Sequence, residues 1–570
     1  MEAQMGTQRP DDDVSAPAGY APGVPGRVEV PDVSLTTVLH DAIGAHPDRP
    51  ALDWYGATTT YAELGEQVRA AAAALAAAGV GAGDRVALVM PSCPQAVVAF
   101  YAVLELGGVV VEQNPLSPRD ELQRSFTDHG ARVAVVWDKS ADTVAGLRLE
   151  HELTLFTVDI SRALPLTKRL ALRLPIRKAR ETRAAMTSRP SAGRSWDDAV
   201  RPRRGAATAP RPHVADPADV ALLQYTGGTT GAPKAAMLTH RNLVANVAQS
   251  RAWVPDLQDG REVLYGILPL FHAYGMLLCL LMSVRLGACL VLFPRFDVDQ
   301  VLEAMERRPA TFLPGVPPIY ARLADAAEER GIDLTSVRFA ISGAMPLPAE
   351  LVERWERLTG GVLVEGYGMT ETSPIALGNP LAPTRRPGSV GLPFPSTEIR
   401  VVDPDEPSVD RPPGEPGELL IRGPQVFEGY WQQPEETAKV LLADGWLRTG
   451  DIVERSDDGF VTIVDRIKDL IISGGFNVYP SEVEEALCSH PLVAHAAVVG
   501  LPGKDGSEDV MAAVVPVEGE APTEDELRRH VRERIAAYKA PRRIRIVDAL
   551  PLSPVGKVLR REVRELLQAE

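Results

Sequence analysis

The residues best suited to chemistry form one short stretch that is rich in glycine and hydroxyl side chains and ends in a lysine. Its candidate ligand-binding residues are Thr226, Gly227, Gly228, Thr229, Thr230, Gly231 and Lys234. Glycine lets the backbone approach a ligand closely and turn its N–H groups inward, and threonine adds hydroxyl donors. With the positive charge of Lys234, this combination suits a polyphosphate. The G-x-x-x-x-G-K-[ST] spacing of a Walker A loop is absent.

The surrounding pattern predicts an α/β protein that positions this loop. Residues 219–224 are predicted to form a strand that enters it. Upstream, Thr60 and Glu63 fit a capping box that starts an alanine-rich helix, and residues 85–90, 95–106 and 131–137 have the pattern of strand, helix and strand. Strands that alternate with helices predict βαβ units and a mostly parallel sheet.

Further polar loops follow predicted strands downstream. They lie at residues 270–275, 342–344 and 367–372, and α/β sheets bind ligands at such strand ends. From residue 388 to 466 the chain has short predicted strands with many Gly and Pro residues, which indicates a small β-rich subdomain. Residues 1–32 contain many Pro, Gly and Asp residues, and we expect them to form a flexible tail.

The composition excludes several classes of protein. Of 570 residues, 45% are hydrophobic and 24% are charged, and the net charge is −16, which argues against general nucleic-acid binding. The four cysteines lack metal-ligand spacing and predict a reducing compartment. The N-terminus lacks the pattern of a signal peptide, and no apolar run is long enough to span a bilayer. We therefore expect a cytoplasmic location.

Residues 162–211 differ from the rest of the chain because they carry a net charge of +11. The core of this basic excursion, residues 164–186, interleaves Leu and Ile with Arg and Lys. One interpretation is an amphipathic segment that makes peripheral contact with an anionic membrane, at the inner membrane surface. The other is a solvated excursion that binds nothing, because basic amphipathic segments also occur as plain surface helices.

Longer motifs carry a family resemblance. They are TGGTTGAPKAAMLTH at 226–240, YGMTE at 367–371, DGWLRTGDIVERSDDGFVTIVDRIKDLIISGGFNVYPSEVEE at 444–485 and PLSPVGKVLR at 551–560. From about residue 33 to the end, the chain resembles the adenylate-forming superfamily of acyl-CoA synthetases, luciferases and peptide-synthetase adenylation domains. The long run at 444–485 looks most like the long-chain fatty-acyl-CoA ligases.

This resemblance implies a specific domain arrangement. A large AMP-binding domain at 33–466 would contain parallel α/β subdomains and, at 388–466, a β-barrel-like subdomain. A small mobile α+β domain at 467–570 would carry the catalytic lysine. Lys468 falls where the family has its hinge, about which the small domain would turn between two half-reactions.

The resemblance also implies the roles of individual residues in an ATP site. The phosphate loop would cradle the β- and γ-phosphates, and His272 would line the wall between acyl group and phosphate. Glu371 would be a ligand of Mg²⁺, and Thr370 would bind the α-phosphate. The expected adenosine-binding residues are Ser342, Gly343, Ala344, Tyr367, Gly368, Asp451 and Arg466.

The last motifs imply the second substrate and the catalytic cation. Gly474 and Gly475 follow the hinge, and their small size would let the pantetheine arm of CoA pass close to the backbone. Lys557 would bridge the attacking carboxylate and the α-phosphate and so stabilise charge in the transition state. Apolar residues at 271–281 and 315–318 would line the acyl pocket.

The implied activity is ATP-dependent ligation of a fatty acid to CoA through acyl-AMP, with release of pyrophosphate and AMP. Three alternatives remain open at this stage. The acid could be an aryl acid such as a coumarate, or the adenylate could pass to a carrier protein instead of CoA. A non-enzymatic nucleotide- or acyl-binding module would lack the lysine or the glutamate of the motifs, yet Lys557 and Glu371 are both present.

Overall fold

The computed structural model describes residues 16–201, 212–226, 234–473, 476–503, 508–519, 521–536, 538–553 and 556–569. The strands in chain order are β1 (Pro50–Trp54), β2 (Ala57–Thr60), β3 (Arg85–Val89), β4 (Val109–Gln113), β5 (Val133–Trp137), β6 (Thr154–Val158), β7 (Arg194–Ser195), β8 (Val220–Thr226), β9 (Lys234–Thr239), β10 (Val263–Gly266), β11 (Cys289–Leu292), β12 (Phe312–Gly315), β13 (Phe339–Ser342), β14 (Val362–Gly368), β15 (Ile375–Gly378), β16 (Leu392–Pro393), β17 (Glu398–Val402), β18 (Gly417–Arg422), β19 (Leu447–Arg455), β20 (Val461–Arg466), β21 (Ile471–Ser473), β22 (Phe476–Val478), β23 (Val493–Pro502), β24 (Glu508–Pro516) and β25 (Arg543–Ile546).

The helices in chain order are α1 (Leu35–Ala45), α2 (Tyr61–Ala77), α3 (Pro94–Glu105), α4 (Arg119–His129), α5 (Asp138–Ala145), α6 (Leu166–Ala171), α7 (Arg177–Met186), α8 (Trp196–Ala199), α9 (His240–Trp253), α10 (Ala273–Gly275), α11 (Met282–Arg285), α12 (Val298–Arg307), α13 (Pro317–Arg330), α14 (Ala349–Thr359), α15 (Pro434–Val440), α16 (Pro480–Cys488), α17 (Glu524–Arg532) and α18 (Arg560–Gln568). Short 3-10 turns occur at Ile160–Ala163, Thr370–Thr372 and Ile467–Asp469, and Met276–Leu281 is π-helical.

Two large sheets organise the first part of the chain. One has seven strands in the order β7-β6-β5-β3-β4-β8-β9, and the other has nine in the order β16-β15-β14-β13-β12-β10-β11-β1-β2. The interior pairs of both sheets are parallel, and antiparallel strands occur towards the edges. Because the intervening helices cover the sheet faces, the strands read as continuous apolar runs. The predicted α/β fold is confirmed.

The hydrophobic cores divide the chain near residue 466. The largest core takes its buried side chains from Ala21 through Val461, whereas the next largest begins at Ile471 and ends at Ile544. The second core lies between helices α16 and α17 and one face of the sheet β23-β24-β25. The 3-10 turn Ile467–Asp469 therefore connects two separately packed units, which is the arrangement that a hinge requires.

Local sequence signals correspond closely to local structure. Thr60 and Glu63 form the expected capping box at the start of α2, with the side chain of each accepting a hydrogen bond from the backbone N–H of the other. Helix α3 begins with Pro94, a residue favoured in the first turn, and all its residues except Ala96 are buried. The predicted strand before the phosphate loop is β8, which extends to Thr226.

The β-rich subdomain is built from antiparallel strands. Strands β17 to β20 form a four-stranded sheet, and Val461 of β20 also bridges to Gly391 just before β16, so β20 is not a free edge. Strand β16, which also lies within 388–466, pairs instead with β15 at the edge of the nine-stranded sheet. The tight contact between Gly391 and the backbone of Gly378 accompanies this pairing.

The prediction of a flexible tail at 1–32 is wrong for residues 20–28. The Tyr20 hydroxyl donates a hydrogen bond to the Pro393 carbonyl over 2.5 Å, and its ring packs edge-on against Trp253 at 5.0 Å. Ala21 and Val24 are buried in the main core. These apolar side chains anchor a segment whose Pro and Gly content indicated flexibility. Residues 1–15 lie outside the described part of the chain.

The basic excursion is a surface structure over its described residues, 162–201. Helix α6 has no buried residue, whereas Ala179 and Met186 of α7 are buried, and Trp137 donates a hydrogen bond to the Met186 carbonyl over 2.7 Å. None of the described helices is both long and apolar enough to cross a bilayer. Residues 202–211 lie outside the described part of the chain.

Candidate active site

The predicted phosphate loop connects the two strands of a β-hairpin. Thr226 at the end of β8 pairs with Lys234 at the start of β9, and the Thr226 hydroxyl is 3.4 Å from the Lys234 carbonyl. The Lys234 ammonium is 2.6 Å from a carboxylate oxygen of Glu436 and 5.3 Å from the ring centroid of Tyr430. Gly227, Gly228, Thr229, Thr230 and Gly231 lie outside the described residues, as do Gly474 and Gly475.

The predicted metal and phosphate residues lie on a 3-10 turn beside this hairpin. The turn Thr370–Thr372 packs against β8 and β9. Glu371 is buried, and one of its carboxylate oxygens accepts a hydrogen bond from the Tyr430 hydroxyl over 2.6 Å. Burial raises the pKa of Glu371. The structure therefore brings Thr370 and Glu371 next to the strand ends that carry the phosphate loop.

Glu371 fits a metal that is held mainly by a phosphate. Among the described residues, no group of three or more His, Cys, Asp or Glu side chains could hold a metal ion. Magnesium, however, usually binds one or two carboxylates together with substrate phosphates and water, and does not need a cage made entirely of protein ligands. A single buried carboxylate is compatible with this mode.

Asp451 of the β-rich subdomain makes a side-chain contact with the nine-stranded sheet. Its carboxylate accepts a hydrogen bond from the Tyr367 hydroxyl over 2.6 Å and pairs with the Arg466 guanidinium at 2.8 Å. Asp451 and Arg466 are register partners on β19 and β20, so the pair is set by the hairpin. Each carboxylate oxygen has two lone pairs, and Asp451 thus keeps acceptor capacity for ligand hydroxyls. The three predicted residues lie together.

An unsatisfied polar group lies at the end of β13, directly before a turn. Ser342 is fully buried, and its hydroxyl has no hydrogen-bond partner among the described residues. Gly343 follows, and a Cβ atom there would lie 3.1 Å from the ring of Tyr274. Ala344 has a φ of +66°, a left-handed conformation that costs a non-glycine residue energy. Strain and an unsatisfied hydroxyl in one turn indicate a functional loop.

Gly368 has a structural reason to be glycine. A Cβ atom at this position would lie 1.9 Å from the Pro374 carbonyl oxygen. The glycine is therefore required where strand β14 shifts register against β15. Its predicted role in ATP binding stays a prediction, because the backbone packing alone accounts for the residue type.

His272 lies at the start of α10, close to the C-terminal lysine. Its Nδ1 atom accepts a hydrogen bond from the Tyr274 N–H at 3.4 Å, and the carbonyl of the preceding Phe271 accepts one from the Gln224 amide at 3.0 Å. Burial, and then the charge of Lys557, lower the pKa of His272 to about 4. The imidazole is consequently neutral at pH 7 and adds no positive charge to the site.

Two regions predicted to line the acyl pocket also meet in the structure. The Tyr274 hydroxyl donates a hydrogen bond to the Ile341 carbonyl at 2.7 Å and also lies 3.2 Å from the Gly315 carbonyl oxygen. The π-helical segment Met276–Leu281 next to it is completely buried. Because π-helical turns are common at functional sites, this segment is a suitable wall for a pocket, although its assignment to the acyl chain stays a prediction.

Lys557 reaches this site from the small domain. The neighbouring Gly556 approaches the loop after β13, since a Cβ atom there would lie 3.1 Å from the Met345 sulfur. Lys557 is an exposed residue. Neighbouring protein atoms reduce the hydration of its ammonium, and this desolvation, followed by the positive charges of Arg466 and Lys468, lowers its pKa to about 8. The structure thus has the small domain placed over the site, with its lysine facing the other cations.

Lys468 occupies the connection between the two domains. It lies in the 3-10 turn Ile467–Asp469, which is closed by a hydrogen bond from the Leu470 N–H to the Arg466 carbonyl at 3.1 Å. Just before the turn, the Asp465 carboxylate accepts hydrogen bonds from both the backbone N–H and the hydroxyl of Ser481, at 3.0 and 2.9 Å. These contacts fix the present domain orientation.

Comparison with known proteins agrees with this site. The sequence pattern of the AMP-binding enzymes matches residues 39–431, and that of the AMP-binding enzyme C-terminal domain matches residues 482–557. The chain belongs to the AMP-binding enzymes. A Bacillus subtilis protein named long-chain-fatty-acid–CoA ligase is 37% identical over 96% of this chain and 97% of its own length.

Two further proteins extend the comparison. A feruloyl-CoA synthase from an Amycolatopsis species is 37% identical over 91% of this chain and 96% of its own length. The crystal structure of ATP-bound MatB from Rhodopseudomonas palustris superposes with a TM-score of 0.79, at 31% identity, over 94% of this chain and 99% of that one. ATP and CoA are substrates of ligases in this family.

Two residues of this AMP-binding enzyme were missed by sequence reasoning. Tyr430 contacts Glu371, and Glu436 contacts Lys234, so both lie directly beside predicted site residues. They belong to GYWQQPEE at 429–436, a run of Gly, aromatic, Pro and acidic residues just after the strand β18. An aromatic-acidic cluster in a loop, where binding residues concentrate, was the available signal.

Proposed function

We propose that this AMP-binding enzyme is a fatty-acid–CoA ligase that works through an acyl-adenylate. One observation carries the proposal: Lys557 of the small domain lies near His272, Arg466 and Lys468. The same site contains Glu371. A cation delivered by a separate domain suits a reaction in which one site is used twice. The similarity to long-chain-fatty-acid–CoA ligases supports the choice of substrate.

In the first half-reaction, a carboxylate oxygen of the fatty acid attacks the α-phosphorus of ATP. The bond to pyrophosphate breaks, and acyl-AMP forms. Lys557 would neutralise negative charge shared by the attacking carboxylate and the α-phosphate. Glu371 would hold Mg²⁺, which would bind the phosphate oxygens, and the neutral His272 would separate the acyl and phosphate groups without adding charge.

In the second half-reaction, the CoA sulfur attacks the acyl carbon after losing its proton, and AMP leaves. Asp451 would hold the ribose hydroxyls through both steps, and the ring of Tyr367 would lie against adenine. Lys468 would be the hinge about which the small domain turns between the steps. Gly474 and Gly475 would admit the pantetheine arm beside that hinge.

The test is a mass-spectrometric end-point assay with ATP, Mg²⁺, CoA and an equimolar panel of short, medium and long fatty acids, coumarate and ferulate. Fatty-acyl-CoA with an equal amount of AMP is the expected product. An aryl-CoA product would instead favour the second candidate function, which the similarity to feruloyl-CoA synthase supports. Acyl-AMP without acyl-CoA would assign the enzyme to carrier-protein loading.

We further propose that the basic excursion makes peripheral contact with an anionic membrane. Leu166, Leu170, Leu174 and Ile176 are all more than half exposed, and they lie among Arg and Lys side chains between 168 and 178. Exposed apolar side chains flanked by cations match the chemistry of an anionic lipid surface, with the leucines entering the headgroup region. Such contact would bring the enzyme to the place where long-chain fatty acids accumulate.

Flotation with vesicles of phosphatidylglycerol and phosphatidylcholine tests this contact. The enzyme should float with vesicles containing the anionic lipid, and replacement of Leu166, Leu170, Leu174 and Ile176 by Gln should abolish flotation. A control with Val409→Gln alters an exposed apolar residue elsewhere and should float as before. Equal flotation of all three proteins would refute the contact.

A further inference from the structure

The segment at 427–437, here called the Tyr430 bridge, touches both halves of the phosphate site through its backbone. The Met237 N–H donates to the Gly429 carbonyl at 2.9 Å, and the Trp431 N–H donates to the Ala235 carbonyl at 2.8 Å, so the segment runs beside β9. The Phe427 N–H donates to the Glu371 carbonyl at 2.9 Å. The bridge therefore fixes the strand that follows the phosphate loop relative to the turn that carries Glu371.

The side chains of the Tyr430 bridge also contact both the strand after the phosphate loop and the turn that carries Glu371. The Tyr430 hydroxyl donates to the Glu371 carboxylate over 2.6 Å, while the Lys234 ammonium lies 5.3 Å from the Tyr430 ring centroid. The Glu436 carboxylate is 2.6 Å from the same ammonium. One contiguous segment thus contacts both the lysine of the phosphate loop and the predicted metal ligand, although it is distant in sequence from each of them.

Glu436 is itself held in place. It lies in the first turn of α15, where Thr437 accepts a hydrogen bond from the Tyr430 N–H at 2.9 Å. Lys234 and Lys439 both hydrogen-bond to the Glu436 carboxylate and lower its pKa to about 2, so it is ionised at neutral pH. The side chains of Lys234 and Glu436 are 21% and 31% exposed, which leaves the pair accessible to a ligand but partly shielded from solvent.

A lysine that is already held needs less ordering when it binds phosphate. A free lysine side chain loses up to about 2 kcal/mol of conformational entropy when it is fixed. Its ammonium has three N–H donors, and Glu436 takes one of them while the Tyr430 ring lies against another side. At least one donor remains for a phosphate oxygen, so Glu436 and the triphosphate can share Lys234.

We propose that Glu436 and Tyr430 are positioning residues for the triphosphate of ATP. Glu436 holds the Lys234 ammonium where the β- and γ-phosphates will bind, and Tyr430, which contacts both Lys234 and Glu371, fixes the position of that ammonium relative to Glu371. The inference rests on the proposed ATP-dependent function and adds to it two residues that touch neither acyl group nor adenosine.

Nucleotide binding by Glu436→Gln, measured by calorimetry, tests the proposal. Because Lys234 acts only on the outer phosphates, the variant should bind a non-hydrolysable ATP analogue about tenfold more weakly, the effect of one charged hydrogen bond. AMP binding should be unchanged. In a Lys234→Met background the same substitution should have no further effect on the ATP analogue. Glu436→Asp, which keeps the charge but shortens its reach, should lie between wild type and Gln.

Glu435→Gln is a matched control, since it removes an equal charge from the same helical turn at an exposed position and should leave both affinities unchanged. Three results for Glu436→Gln would overturn the proposal. Equal weakening of ATP-analogue and AMP binding would indicate a general structural effect, and unchanged binding of the ATP analogue would show that Glu436 does not position Lys234. Tighter binding of the ATP analogue would make Glu436 a competitor of the phosphates.

Failure of the proposed function would give a different result: a wild-type enzyme that binds AMP but makes no adenylate from ATP.

Discussion

The Tyr367 hydroxyl and the Asp451 carboxylate are joined by a 2.6 Å hydrogen bond, although 84 residues separate them in the chain. Tyr367 belongs to β14 of the nine-stranded sheet, and Asp451 to β19 of the β-rich subdomain. Arg466 pairs with the other carboxylate oxygen at 2.8 Å. The group predicted to receive the ribose is therefore oriented from two directions before any nucleotide binds, which lowers the entropic cost of binding.

Tyr367→Phe should separate the contribution of this hydrogen bond from that of the ring. The phenyl ring can still lie against adenine, but Asp451 loses one of its two fixed contacts. We expect KM for ATP to rise about fivefold to tenfold, the effect of one hydrogen bond to a charged group, with KM for the fatty acid unchanged. Steady-state kinetics of pyrophosphate release measure this.

Tyr61→Phe is the corresponding control. The Tyr61 hydroxyl donates to the Ala288 carbonyl at 2.8 Å in the buried core and lies 3.0 Å from the Ser283 carbonyl. Its loss should therefore lower thermal stability and leave KM for ATP unchanged. If Tyr367→Phe also changed only stability, Asp451 would not depend on Tyr367 for its orientation.

Lys557→Ala should affect the two half-reactions unequally. Removal of the ammonium takes away charge stabilisation in the adenylation transition state, for which we expect a loss of at least about 100-fold in rate. Thioester formation from supplied acyl-AMP should change by no more than a few-fold, because in the proposed domain rotation the lysine would then be turned away from the site. Single-turnover assays of each half-reaction make the comparison, and equal losses in both would contradict the assignment.

The depressed pKa of Lys557 predicts a pH dependence for adenylation. The protonated form is the one that can neutralise phosphate charge, and desolvation together with Arg466 and Lys468 lowers its pKa to about 8. For the free enzyme, kcat/KM for ATP in adenylation should consequently fall as pH rises through about 8. Lys557→Arg keeps its charge over this range, so its slower reaction should show no such fall. The same fall in both proteins would place the titrating group elsewhere.

Lys468→Pro should impair domain alternation more than adenylation. Among the described residues, the backbone N–H of Lys468 donates in no hydrogen bond of the 3-10 turn, so proline removes none. It does restrict φ at 468 and the conformation of the preceding residue. We expect adenylation within a few-fold of wild type and acyl transfer to CoA slowed about tenfold or more. Lys468→Ala, which removes the side chain alone, should spare both steps, and rapid transfer in the proline variant would remove the hinge assignment.

The parts of the fold that follow from local sequence were predictable. The capping box of Thr60 and Glu63, the buried helix α3 and the strand before the phosphate loop each depend on residues within a few positions of one another. The motifs of the site were also predictable by resemblance, and the structure brings Lys234, Glu371 and Lys557 to one region. Short-range sequence patterns determine these helices and strands, and the motifs of the family indicate the positions of the site residues.

Contacts between distant segments were not predictable from the same patterns. Tyr430 and Glu371 lie 59 residues apart in the chain, and Glu436 and Lys234 lie 202 apart, so no local period connects them. Tyr20 likewise packs on Trp253 although its neighbours have the composition of a flexible tail. Pairing of this kind is decided by tertiary packing, which overrides local composition.

Glu112 provides a last prediction, concerning stability. It lies on β4 beside Gln224 of β8 and is buried, with 8% of its surface exposed. Burial raises its pKa to about 8. In the unfolded chain the group ionises near pH 4.5, so the folded state binds the additional proton and loses stability as pH rises from about 4.5 to about 8.

Glu112→Gln keeps the shape of the side chain and removes this titration. At pH 5 both proteins have a neutral group at 112, and their thermal midpoints should agree closely. At pH 9 the variant should be the more stable by on the order of 3 kcal/mol, since only the wild type must bury a charge. Gln224→Glu would add a second buried carboxyl and should make the thermal midpoint fall more steeply as pH rises. A wild-type midpoint that falls no faster than that of Glu112→Gln between pH 5 and pH 9 would show that the Glu112 carboxyl is solvated in the native state.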